Sequence, residues 1–231
     1  MLKVRHYRSD YNAKLMLVKP NFDWIGLYPR FFNMVYEAML PDVQINPVHL
    51  SSSATHIMGE IYARYNLGGG PSSLTLRPDR LEFEFRNVLA SDVPVTYDFM
   101  RRMHDAFGKT FPELKYDRVE TYSLEHDEVL PPGDVDKYLD LFKRPIRGAF
   151  TDLGDFNEEP SGLIHATAKD QSWACRLRME RSLLIPNGIF CEYSMNMNKQ
   201  GSETSFDEKL AFALKLSKAC FEALGLEGTK A

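Results

Sequence analysis

The sequence has little of what usually marks a function. Its 231 residues hold three cysteines, Cys175, Cys191 and Cys220, an odd number without CxxC spacing. That pattern excludes a disulfide framework and a zinc finger, and it suits a reducing compartment. No apolar run approaches the roughly eighteen residues of a membrane-spanning helix, and the polar stretch Met1 to Asp10 is unlike a secretory leader. A cytoplasmic protein away from membranes, with no cofactor, is therefore expected. A surplus of positive charge is missing too. The 28 Lys and Arg face 32 Asp and Glu, a net charge of −4, so no surface is built to neutralise many phosphates and bulk nucleic-acid binding is not expected.

Catalytic signatures are equally scarce. There is no Gly-x-Ser-x-Gly elbow, and Gly68-Gly-Gly70 has no Lys-Ser/Thr after it and leads into a strand, so it reads as a hairpin turn and not as a phosphate cradle. The six histidines, His6, His49, His56, His104, His126 and His165, show neither HExxH nor close Cys/His spacing. Glu125-His-Asp-Glu128 sets three carboxylates beside one imidazole, yet it reads as a solvated strand end. The acidic stretch 152–159 lacks the Asp-x-Asp-x-Asp-Gly order of a calcium loop. The three cysteines read as small core hydrophobes. No catalytic residue and no metal ligand are predicted.

What the sequence does carry is architecture. Ala13 to Val18 is a short apolar strand stopped by Pro20, and Trp24, Leu27, Phe31, Phe32, Val35, Tyr36 and Met39 form one helical face closed by Pro41. Ile57 to Asn66, Ser73 to Arg77 and Arg80 to Arg86 read as a meander. In the last of these Leu81, Phe83 and Phe85 alternate with Arg80, Glu82, Glu84 and Arg86, the mark of a sheet with one buried and one wet face. A helix over 94–111 follows. Lys115 to Glu125 is strand-like, Asp134 to Lys143 a short helix, and Arg147 to Ser161 the loosest segment, the predicted linker. Leu163 to Lys169, Trp173 to Leu184 and Ile189 to Met197 read as three more strands, the last two joined across Asn187-Gly188. Ser205-Phe-Asp-Glu208 is a capping box for a helix whose stripe includes Phe206, Leu210, Ala213, Leu214, Cys220 and Phe221 and which Gly225 closes.

The predicted fold is α+β: antiparallel β-meanders with long helices packed on one face, in a βββα plan that runs twice and suggests a pseudo-two-fold repeat. Residues 1–146 make an N-terminal α+β half and 147–231 a C-terminal βββα half of one compact unit. Short motifs such as Leu74-Thr-Leu-Arg-Pro-Asp-Arg-Leu81, Tyr97-Asp-Phe99, Asp136-Lys-Tyr-Leu139 and Phe221-Glu222 follow one another across 57–224. In that order they resemble a sporadically distributed, uncharacterised family of bacterial proteins of about this length, a resemblance that implies an architecture and no activity.

One polar constellation invites a functional reading. Arg176 and Arg178 alternate with Cys175, Leu177 and Met179 in one strand, and Glu192 and Tyr193 lie in the next. Two arginines on one face can fork a carboxylate or a phosphate. Because Ile189 to Met197 carries only Glu192 as a guarding charge, that strand is expected to be the unprotected surface. The expected function is a non-enzymatic binding or assembly module. It would hold a protein partner, or its own copy, through a sheet face or strand edge, with Arg176, Arg178, Glu192 and Tyr193 as the contact residues. The alternative is a small-ligand-binding protein or an enzyme with a pocket between sheet and helices. Leu214, on the stripe, is expected to be core.

Overall fold

Side-chain alternation decides which face of a strand is covered, and in this protein the helices lie over one face of the sheet. The computed structural model describes residues 2–39, 61–67, 72–131, 133–141, 162–198 and 205–228, together with the backbone of 50–53. Along the chain these form β1 (Leu2–Leu17), α1 (Trp24–Met39), β2 (Leu50–Ser53), β3 (Tyr62–Asn66), β4 (Ser73–Leu76), β5 (Arg80–Val88), α2 (Val93–Thr110) and β6 (Tyr116–Leu130). Then come α3 (Asp134–Asp140), β7 (Gly162–Thr167), β8 (Trp173–Arg181), β9 (Gly188–Asn198), α4 (Phe206–Ala223) and β10 (Leu226–Gly228). The sheet order is β2-β3-β4-β5-β1-β6-β9-β8-β7, with every neighbour on that path antiparallel and β10 added in parallel to the start of β1. This is the α+β architecture expected from the sequence, and one sheet joins both halves of the chain.

The covered face is apolar because period-two alternation places Leu81, Phe83 and Phe85 of β5, Ala63 and Tyr65 of β3, and Leu177 and Met179 of β8 beneath the helices, all at most 5% exposed. Phe31 and Phe32 of α1 pack on Phe107 and Tyr65, with ring centroids 5.9 and 5.4 Å apart. The opposite face is a lattice of ion pairs. Glu82 meets Lys14, Arg77 and Arg80, and Glu84 meets Arg64 and Arg86. The α4 capping box is present in full, with Glu208 N–H donating to Ser205 Oγ and Ser205 N–H to the Glu208 carboxylate.

The structure departs from the sequence expectations at four places. The first strand runs from Leu2 and not from Ala13, because a bulge breaks its alternation and hides the pattern. The connection after β8 is not a tight Asn-Gly hairpin. β8 stops at Arg181, and Asn187 instead spends its side chain on the Val129 carbonyl (2.7 Å) and the Gly133 N–H (2.9 Å), stitching the loop to neighbouring elements. Gly188 is needed for space: a Cβ there would lie 2.8 Å from the Asp127 carbonyl oxygen. The third departure concerns Ile189 to Met197, which is no edge. β9 lies between β6 and β8, and Tyr193, Met195 and Met197 are buried on the covered face. The terminal strands of the path are β2 and β7, so the argument for self-association through an unguarded 189–197 strand loses its basis. Pairing of β9 with β6, sixty to eighty residues earlier, is a long-range event that local patterning does not encode. Finally, Leu214 is 44% exposed and borders an opening beneath α4. The proposed linker 147–161, the acidic stretch 152–159, the Gly68–Gly70 turn, His49 and His56 lie outside the described residues.

Candidate functional site

The gap under α4 is the mouth of a cleft of ≈ 790 Å³ between α2, α4 and the central strands β1, β6 and β9. Its walls are mostly apolar: Val93, Pro94 and Met100 from α2, Leu210, Ala213 and Phe221 from α4. Its floor is not. His6, Glu125 and Asp127 lie there side by side.

A backbone irregularity assembles this floor. In β1 Val4 and His6 face the helices, and simple alternation would send Arg8 the same way. The register against β6 shifts between His6 and Arg8, so His6 pairs with Asp127, Arg8 with His126 and Ser9 with Glu125. Tyr7 is thus an extra residue, and the bulge turns both His6 and Ser9 toward the cleft. On β6 the alternation is regular, which brings Ser123, Glu125 and Asp127 to the cleft and leaves His126 and Glu128 on the far side of the sheet. The sequence expectation of a solvated strand end at 125–128 is corrected here: β6 runs on to Leu130, and although Glu128 pairs with Arg5 at the surface, Glu125 and Asp127 point into the cleft.

The polar floor is internally bonded. His6 Nδ1 lies 3.0 Å from Asp127 Oδ1, and its Nε2 lies 3.2 Å from Ser9 Oγ. Ser123 Oγ donates to Glu125 Oε1 at 3.0 Å. The Asp127 side chain is only 5% exposed. Burial, and after it the Asp127 charge, push the Glu125 carboxyl up to about 7, against the opposing influence of His6 and Ser123. For His6, burial is the largest influence and pulls the imidazole down. The bond to Asp127 and the charges of Asp127 and Glu125 more than reverse it, so His6 titrates above its ordinary value. Phenols add to the lining. Tyr11, Tyr97 and Tyr193 are all held well above the usual tyrosine range, first by burial and also by the Glu125 charge, so they stay neutral hydrogen-bond donors. The Tyr11 and Tyr97 rings are 5.9 Å apart.

The four residues singled out from the sequence divide between the two faces. Tyr193 lines the cleft, its hydroxyl 3.6 Å from Met195 Sδ. Arg176, Arg178 and Glu192 lie on the open face. Arg178 is already engaged by Glu180 and by Glu192, the latter at 3.6 Å, and Arg176 borders a shallower groove of ≈ 520 Å³ with Lys14, Glu120 and His165. His6 escaped the sequence reading, since its partners are about 120 residues away and only strand pairing joins them. All three cysteines are buried and free, with Cys175 and Cys220 Sγ atoms 3.8 Å apart. Among the described residues no helix is long and apolar enough to cross a membrane. No family model matches the sequence, and no curated protein matches it either.

Proposed function

We propose that the protein binds a small molecule in the cleft beneath α4, with an apolar body along the helices and a polar head on the His6, Glu125 and Asp127 floor. The observation that carries this reading is the union of an apolar cleft of ≈ 790 Å³ with three convergent ionisable groups at its base. That volume falls within the about 300–1,000 Å³ typical of small-molecule sites, which are apolar concavities with a few placed polar groups. Burying ionisable groups seldom repays its desolvation cost in stability. A cluster held at that cost, on a bulge that brings it together, is better explained by what it contacts. The open face supports the sheet-face module less well, since its charged groups are largely satisfied by one another.

The test uses anilinonaphthalene sulfonate, an amphipathic dye with an aromatic body and a sulfonate head that brightens on leaving water. Saturable binding of one dye per chain is expected, lost in Ser217→Trp, which fills the mouth with an indole while the melting temperature holds. Equal dye binding by the parent and Ser217→Trp would refute the reading.

A further inference from the structure

We propose that His6, Glu125 and Asp127 form a binding site for a divalent first-row transition-metal ion, with its open coordination positions facing the cleft. The inference shares the cleft with the ligand-binding reading and rests on it only for the open side of the site.

Geometry carries the proposal. One donor atom from each of the three side chains lies within 4.8 Å of the others, and the closest pair, His6 Nδ1 and Asp127 Oδ1, is 3.0 Å apart. Ligands about 2.0 to 2.2 Å from one ion stand about 3.3 to 3.6 Å from each other in a tetrahedral arrangement, so side-chain movements of about 1 to 1.5 Å close the set. The strands that carry the ligands are hydrogen-bonded neighbours, with His6 directly opposite Asp127 and Glu125 two residues along the same face. The site is therefore held by the sheet and not by a loop.

The surroundings have the form that metal ligands require. A ligating imidazole fixes its orientation by donating its other N–H, and ligating carboxylates are themselves hydrogen-bonded. Here Ser9 Oγ stands 3.2 Å from His6 Nε2, ready to accept that proton while Nδ1 turns its lone pair to the ion, and Ser123 holds Glu125. Charge points the same way once the ion displaces the protons of the floor: two carboxylates and a neutral imidazole sum to −2, which a divalent ion cancels in a low-dielectric pocket. The donor set selects the class of ion. Imidazole with carboxylate oxygens suits zinc, manganese or iron, whereas calcium takes 6–8 oxygen ligands and magnesium retains its waters. With three protein ligands, at least one position is left for water or for the head of a bound molecule.

The test is a titration of the full-length chain, free of any affinity tag and stripped with EDTA, with Co²⁺ as the spectroscopic stand-in for zinc. One equivalent should bind with a visible ligand-field band, displaceable by Zn²⁺ and free of the near-ultraviolet thiolate band that a site on Cys191 would give. Asp127→Asn and His6→Gln should each weaken binding by roughly 100-fold or more, and Ser9→Ala, which removes only the partner of a ligand, by roughly 10–100-fold. Metal-free melting of each variant separates loss of ligand from loss of fold, and Ser9→Ala keeps the test intact if the other two unfold. No band at millimolar Co²⁺, a thiolate band, or binding indifferent to all three substitutions would overturn the site. Dye binding without Co²⁺ binding overturns the metal site alone, and Co²⁺ binding without dye binding overturns the ligand reading alone.

Discussion

Single residues set the chemistry of the cleft. Tyr7, the extra residue of the β1 bulge, puts His6 and Ser9 on one face, and Gly188 lets β9 approach the backbone of Asp127. His104 shows how burial tunes a group outside the floor. It stacks on Phe206 with centroids 4.4 Å apart and lies 3.3 Å from the Tyr116 hydroxyl. Burial holds its imidazole below the ordinary 6.5, although Asp105 opposes this. The neutral ring is the form the fold accepts, so just below pH 6.5 the unfolded chain binds more protons than the folded one. Stability from this group is fully present above pH 6.5 and is lost as the pH falls through the lower folded value. In His104→Phe, denaturant titrations across that window should show a shallower fall in stability toward acid than the parent; parallel slopes would show that His104 is not the group responsible.

Among the elements, α4 is both the most legible and the most misread. Its start was legible because a capping box is local chemistry, Ser205 and Glu208 being three residues apart. Its stripe was legible as a face, but a face shows direction and not contact: Leu210, Ala213, Leu214 and Phe221 all border a cleft. Leu214 is accordingly 44% exposed. Leu214→Asp is expected to cost less than about 1 kcal/mol in chemical denaturation, as exposed positions do, while weakening dye binding at the mouth. Loss of folded protein would mean that α4 closes on the sheet. β9 carries the same lesson for strands. Its alternation was legible, yet its place at the centre of the sheet depends on β6, and register between distant strands has no local signature.

At the scale of the whole molecule, the sequence showed the layers and the sheet showed the site. Apolar alternation in β5 and the helical stripes announced one covered face and one wet face, and both are present. The floor was not readable, because His6 and Asp127 are 121 positions apart and a single bulge decides which way His6 points. Arg176, Arg178 and Glu192 drew attention because neighbours in one strand or hairpin are visible in a line of text, and they prove to sit on the face away from the cleft. The central claim, that the covered side and not the open side receives the ligand, is tested most directly by methyl NMR of the ten methionines during a titration with anilinonaphthalene sulfonate. Met100 lines the cleft, and Met16 lies on the open face between Arg80 and Arg118. The Met100 methyl should shift and saturate at one equivalent while Met16 stays still; a shift at Met16 with Met100 unmoved would contradict the claim and place binding on the open face.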